Sequence, residues 1–418
     1  LKANTSPSLS ASALLSDFRL LLILFIFFRL LLLIIYQPLI INGVERGVTA
    51  GGDFLYYYQL GSLSQQGYLP FRDWWSEFPP IPSFLETVLV QLFGRGGYSS
   101  FALVYGVIMV LFDLGNLVMM RRIGNKLHGA RTGMALAWIY ALTLAPVVMI
   151  WWNFEPMVTF FLLWGIATLI ERRDVRSAVI AAVGALIKFT PALLLGAVWR
   201  FRQPRAALRY SLITLGIFAA VYVILFAQNA AMTAPSLTAQ FNKASYQTVW
   251  ALLDGNTRTG NFGAPEERLD PANAYLLQGN PSVIPGFVRL GAAALIGVFV
   301  FWRTRRFDER GLVAFVAITL LIFFLQAQGW SPQWLAQIIP LILLCFPSRD
   351  GVTAVVLLSL VTFAEYPFLF IRTGDTGGEI TGGLMTPFVS LVLARTAILV
   401  GMCAALYRRL RQEAVQIQ

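Results

Sequence analysis

The stretch Gly52-Asp53-Phe54-Leu55-Tyr56-Tyr57-Tyr58, continuing through Pro70-Phe71-Arg72-Asp73-Trp74-Trp75-Ser76-Glu77-Phe78-Pro79-Pro80, sets three carboxylates among aromatic rings directly after the first membrane-length apolar run. Acids are expensive in or beside lipid, and rings can stack on sugar faces. The concentration therefore places the chemistry just outside a bilayer and points to glycosyl transfer. Moving a sugar from a phosphate-linked donor with inversion needs a carboxylate to take the proton of the attacking hydroxyl. It also needs cations to meet the charge that develops on the leaving phosphate.

Asp53 is the first candidate for the base. It follows Gly51 and Gly52, which permit close backbone approach, where the chain leaves its first apolar run. Asp is also a preferred N-cap, so Asp53 can equally open a helix at Phe54, and the two roles are compatible. Asp73 and Glu77 are candidates for substrate contact, Asp73 being suited to a turn and Glu77 being fixed by Pro79 and Pro80. Tyr57, one helical turn beyond Asp53, belongs to the same group. Glu155, ahead of Pro156, stands at the mouth of another helix, either facing substrate or as an N-terminal helix residue.

For the phosphate, Lys188 ranks first, because a lysine inside an apolar run costs about 2.5–3.5 kcal/mol unless it is paired or hydrated. The structural alternative is a pair with a carboxylate such as Glu155. Arg258, Lys243 and Arg372 are further cations that can approach a phosphate or remain solvated in loops. Arg29 and Asp113 carry the opposite expectation: both fall within apolar runs, and a buried ion pair explains them without catalysis. Trp74, Trp75, Trp151, Trp152, Trp330 and Trp334 are expected at outer helix ends, as an interfacial belt or as stacking surfaces.

The elements that hold these residues are membrane helices. Of 418 residues, 57% are hydrophobic and 13% charged, and the mean hydropathy is +0.68. That is too apolar for a soluble domain and reads as an all-α polytopic membrane protein. The net charge of +11 comes from clusters separated by apolar runs, which reports topology and excludes a nucleic-acid surface. Cys345 and Cys403 lie in apolar runs and His128 is the sole histidine, so neither a disulfide framework, a thiolate metal site nor a His-ligated metal centre is expected, and the sequence names no cofactor.

Basic clusters near residues 121–131, 172–176, 200–209, 303–310 and 408–411 are cytoplasmic by the positive-inside rule. Segments 42–99, 151–155, 228–285, 327–334 and 372–387 then fall outside. Residues 1–16 read as a disordered cytoplasmic tail and 17–418 as one transmembrane domain with long exterior loops at 42–99 and 228–285. Short helices within those loops are expected to lie on the interface. Segment 177–199 has the length of one span but basic residues at both ends. Lys188-Phe189-Thr190-Pro191 resolves the conflict, since the proline breaks the run into a hairpin. Counting the hairpin as two gives about 12 helices.

The chain resembles the GT-C superfamily of membrane glycosyltransferases and, more narrowly, the bacterial alpha-mannosyltransferases that extend phosphatidylinositol mannosides. The resemblance rests on Asp53 with Tyr57, Gly67 with Pro70, Glu77-Phe78-Pro79-Pro80, Lys188-Phe189-Thr190-Pro191, Tyr246-Gln247-Thr248, and Ser331-Pro332-Gln333-Trp334 followed by Pro340. Phe78 and Trp334 occupy positions where that family more often carries tyrosine. The resemblance implies a polyprenyl-phosphate sugar donor, most simply a mannose donor, and a lipid-linked or glycan acceptor. It implies a plasma-membrane enzyme whose site is extracytoplasmic, with Asp53 as base and Lys188, Gln247 and Gln333 at the donor. No Gly-rich nucleotide loop follows a strand, which argues against a nucleotide-sugar donor. The competing class is a transporter or lipid flippase, which would place polar residues near the midplane on inverted repeats.

Overall fold

The computed structural model describes residues 11–35, 39–41, 44–46, 53–143, 153–260, 263–366 and 378–413. Gly51, Gly52, Trp151, Trp152 and Arg372 lie outside them. The described chain is helical apart from one antiparallel pair of three-residue strands, β1 (Leu39–Ile41) and β2 (Val44–Arg46).

In chain order the helices are α1 (Ala11–Ser16), α2 (Phe18–Ile35), α3 (Phe54–Ser62), α4 (Pro80–Phe93), α5 (Gly97–His128) and α6 (Ala130–Leu142). There follow α7 (Glu155–Ile170), α8 (Asp174–Ala185), α9 (Leu194–Phe201), α10 (Pro204–Gln228), α11 (Ala230–Thr233), α12 (Pro235–Asn242) and α13 (Val249–Asp254). The last are α14 (Gly286–Arg303), α15 (Glu309–Gln326), α16 (Leu335–Cys345), α17 (Arg349–Glu365) and α18 (Met385–Arg411). Residues 11–16, which the sequence places in a disordered tail, therefore form a short helix.

Among the described residues, 6 helical segments are long and apolar enough to cross a membrane, and the chain is a multi-pass membrane protein. The sequence count of about 12 is not reached by this measure. Several of the remaining apolar helices are too short to span alone, such as α7 and the helix at 332–345.

The axis of the fold is α5, whose 32 residues extend for about 48 Å. It packs on α6 through paired glycines: a Cβ added to Gly124 would lie 2.9 Å from the Gly133 Cα, so the two backbones meet without side chains between them. Arg29 of α2 donates Nε to Asp113 of α5 at 2.6 Å, and Tyr140 of α6 donates its hydroxyl to the other carboxylate oxygen at 2.5 Å. This is the buried ion pair the sequence calls for, and it ties three helices at mid-depth.

Contacts between distant segments separate the two ends of the bundle. At one end Arg122 pairs with Glu171, Arg202 with Asp174, Arg200 donates to Thr304 O, Arg310 to Leu127 O and Arg411 to Arg303 O. The basic clusters thus share one end. At the other end Trp75 N donates to Arg268 O, Tyr246 N to Gln328 O and Thr259 N to Gly378 O. Segments assigned to a common exterior face do converge on one another.

The broken hairpin follows the same logic. Helix α8 starts at Asp174, a 3₁₀ turn covers Thr190–Leu193 at the proline, and α9 returns so that Arg202 reaches Asp174 at 3.0 Å. Lys188 lies at the tip, next to the start of α7.

Candidate functional site

Asp53 occupies the N-cap position of α3, yet its side chain makes no capping bond to that helix. Its Oδ2 accepts instead from the Tyr57 hydroxyl at 3.1 Å. Tyr57 is held by the rings of Tyr105 and Phe154, with centroids 5.9 and 5.7 Å away. Asp53 is half-buried, which leaves it reachable while protein crowds its carboxyl. That burial lifts its pKa to about 7, against the lowering effects of the Tyr57 bond and of the Lys188 and Lys243 charges, with Glu77 adding to the rise. A carboxyl so poised can take and return a proton near neutrality. Tyr57 is pushed well above its ordinary value by burial and by the Asp53 charge, so it stays a donor.

Lys188 places Nζ 2.8 Å from Glu155 Oε2 and 5.8 Å from the centroid of the Trp334 ring. The second Glu155 oxygen accepts from the Gln337 amide. The ammonium is partly exposed, while the carboxylate beneath it is buried. A cation supported from one side and open on another is suited to a second anion.

Glu77, buried, gathers the two long loops. It pairs with Lys243, accepts from Gln240 Nε2 at 3.0 Å and lies 3.7 Å from Arg268. Burial alone would raise its pKa, but the Lys243 and Arg268 charges outweigh it and hold Glu77 below the ordinary value. Arg268 also donates to the Tyr56 hydroxyl at 2.7 Å and lies 3.9 Å over the Trp75 ring. Between these loops opens a cleft whose lining includes Trp75, Lys243, Tyr246, Arg258 and Arg268.

Gln247 is fully buried with φ of +53°, a left-handed conformation that a side chain other than glycine's adopts only when its surroundings enforce it. Its amide donates to Glu365 at 3.3 Å and accepts from Gly260 N at 3.3 Å, while Arg395 donates to its carbonyl and pairs with Glu365.

Residues 79–328, more than half of the chain's 418, match glycosyltransferase family 87. The chain belongs to glycosyltransferase family 87. Its fold is also similar to the oligosaccharyltransferase of Archaeoglobus fulgidus in the apo form, at 12% identity and a TM-score of 0.44, over 94% of this chain and 56% of that one. The archaeal oligosaccharyltransferase AglB from the same organism, in complex with an inhibitory peptide and a dolichol-phosphate, gives 13% identity and a TM-score of 0.42 over 95% and 56%. The chain thus spans just over half the length of these structures. No curated protein matches it.

In this member of family 87, the candidate residues of the sequence separate into two groups. Asp53, Tyr57, Glu77, Glu155 and Lys188 lie at one end of the bundle and act on one another through bonds or charge. Gln247 and Arg258 border the adjoining cleft or its buried support. Asp73 does not join them: its Oδ2 accepts from Leu69 N and Arg72 at 2.8 Å each, a local turn that holds its pKa below the ordinary value, chiefly through the Arg72 bond. Gln333 is half-buried in a 3₁₀ turn, and the amide that reaches Glu155 belongs to Gln337, one helical turn on.

For four of the tryptophans the belt alternative does not hold, while Trp75 lines the cleft as a stacking surface would. Trp74, Trp75, Trp330 and Trp334 are buried in the protein rather than ringed around it. Gln337, Glu365, Arg395 and Arg268 were not singled out. The signal that finds Lys188, a polar or charged residue within an apolar run, was available for the first three.

Proposed function

We propose that this glycosyltransferase is a GT-C enzyme that transfers a hexose, mannose by the sequence resemblance, from a polyprenyl phosphate to a lipid-linked or glycan acceptor, with inversion, on the extracytoplasmic side of the plasma membrane. The observation that carries this reading is the state of Asp53: free of any capping bond to the backbone of α3, hydrogen-bonded to the Tyr57 hydroxyl, and with a pKa of about 7 that the Lys188 charge helps to lower. Asp53 takes the proton of the acceptor hydroxyl as that oxygen bonds to the anomeric carbon. The bond from the anomeric carbon to the phosphate oxygen breaks, and its electron pair leaves with the polyprenyl phosphate.

Lys188 meets that charge, carried into place by the hairpin and held by Glu155. Tyr57 orients the base, Glu77 holds the loops over it, Arg258 and Gln333 border the donor and acceptor, and Gln247 supports that border from within. A lipid-phosphate donor suits the placement, since its chain remains in hydrocarbon while the sugar reaches the end of the bundle. Location of the site opposite the basic clusters supports an extracytoplasmic reaction.

The test is incubation of the purified enzyme with a panel of polyprenyl-phosphate sugars and extracted acceptor lipids, read by mass spectrometry. The expected result is one glycosylated product with release of polyprenyl phosphate. Movement of a labelled lipid across liposomes without any acceptor or product would favour the flippase reading instead.

A further inference from the structure

Arg289 lies in the first turn of α14, a helix that otherwise turns apolar residues outward: Phe287 is 75% and Leu295 73% exposed. Arg289 is the reverse, with 4% exposed. Its guanidinium folds back over the helix start, where a Cβ added to Gly286 would lie 3.5 Å from Nη2. Among the described residues its hydrogen bond is a long one, Nη2 to Gln328 Oε1 at 3.5 Å, and Nε and Nη1 are buried without an acceptor. Trp250 offers a ring face 5.4 Å away. The Asp254 carboxylate acts on Arg289 through space, but its oxygens already accept from Ser245 at 2.6 Å and from Val283 N at 2.7 Å.

A permanently charged guanidinium with two unpaired donors, beside the positive end of a helix, calls for an anion. Planar donors of this kind match phosphate oxygens in pairs. The apolar residues of α14 face outward while Arg289 faces inward at the helix start, so the phosphate would enter at the helix end from a lipid whose chains lie along the outer face. Hydrogen bonds link this seat to the loop layer at Glu77: Gln328, which accepts from Arg289, donates Nε2 to Gln240 O, and the Gln240 amide donates to Glu77.

We infer that Arg289 and the start of α14 form a second anion site, which holds a lipid-borne phosphate at the membrane edge of the enzyme. The inference does not rest on the roles given to Asp53 or Lys188. The experiment is native mass spectrometry of the detergent-purified full chain titrated with phosphatidic acid, polyprenyl phosphate, or diacylglycerol of matched tails. The variants are Arg289→Gln, Arg289→Lys and Asp53→Asn.

Arg289→Gln is expected to weaken binding of a phosphate-bearing lipid about tenfold or more, as loss of a charge-assisted contact would, and to leave diacylglycerol unchanged. Arg289→Lys is expected to recover part of that binding, and Asp53→Asn to retain all of it. Loss confined to phosphatidic acid assigns the seat to a bilayer phospholipid, whereas loss that includes polyprenyl phosphate assigns it to a reaction lipid. Equal phosphatidic acid and polyprenyl phosphate binding by wild type and Arg289→Gln would overturn the inference, as would an equal loss of diacylglycerol. Displacement of bound lipid by millimolar inorganic phosphate alone would overturn its lipid-borne part.

Discussion

The Tyr57 hydroxyl donates to Asp53 Oδ2 across 3.1 Å, from one helical turn further along the same helix. The bond stabilises the charged carboxylate and opposes the burial that raises its pKa to about 7. A base must be deprotonated to act, so kcat/KM is expected to rise with pH through about 7 and then level. Tyr57→Phe removes a lowering influence, so the acidic limb of the profile should move to higher pH. A limb that stays in place or moves down would show that Asp53 is not the group being titrated.

Lys188 acts on the same profile through its charge. Lys188→Met should lower kcat by about 10²–10³, the scale of losing one electrostatic donor to a developing anion. Because the Lys188 charge lowers the Asp53 pKa, the acidic limb should again shift upward. Glu155→Gln separates support from chemistry: it leaves Lys188 unpaired and should raise KM for the donor more than it lowers kcat. Steady-state kinetics across pH check both variants.

Arg29 and Asp113 carry a prediction about stability alone. Either Arg29→Met or Asp113→Asn strands a buried charge or its donors and should cost about 3–5 kcal/mol. The double variant removes both charges and should recover part of the loss. Thermal unfolding in detergent, with turnover measured on whatever folds, is the check, and turnover per folded molecule should be nearly unchanged.

Glu77 makes the pH dependence of the loop layer acidic. Its pKa lies below the ordinary 4.5 in the folded protein, so its contribution is complete above the unfolded value and is lost as pH falls through the folded one. Protection of the loops from protease should therefore hold at neutral pH and fail on the acid side of 4.5. Glu77→Gln should show the failure already at neutral pH, with a loss of about 3 kcal/mol, the low end for a broken buried pair because Lys243 can turn to water.

What the sequence discloses here is mainly the cost of charge in lipid. Arg29 with Asp113, Lys188 with Glu155 and the proline-broken hairpin all follow from asking how an apolar run tolerates an ion. The same question, put to Glu365, Arg395 and Gln337, would have reached the buried support of Gln247 and the second partner of Glu155. Contacts set by loop packing are less accessible. Nothing in local spacing brings Arg268 to Tyr56 and Trp75 or Lys243 to Glu77, because these pairs join loops far apart in the chain. Local turn chemistry is legible at Asp73, whose suitability for a turn is met by the bonds that its Oδ2 accepts from Leu69 N and Arg72. Among the described residues the count of about 12 is not reached, since several apolar runs there form helices shorter than a membrane, a length that composition alone does not fix.

The most direct test is single-turnover transfer by Asp53→Asn with donor at saturation and donor binding measured in parallel. Loss of the base should reduce transfer by about 10²–10⁴ while donor binding is retained. Transfer at the wild-type rate by a folded, donor-bound Asp53→Asn enzyme would contradict the account.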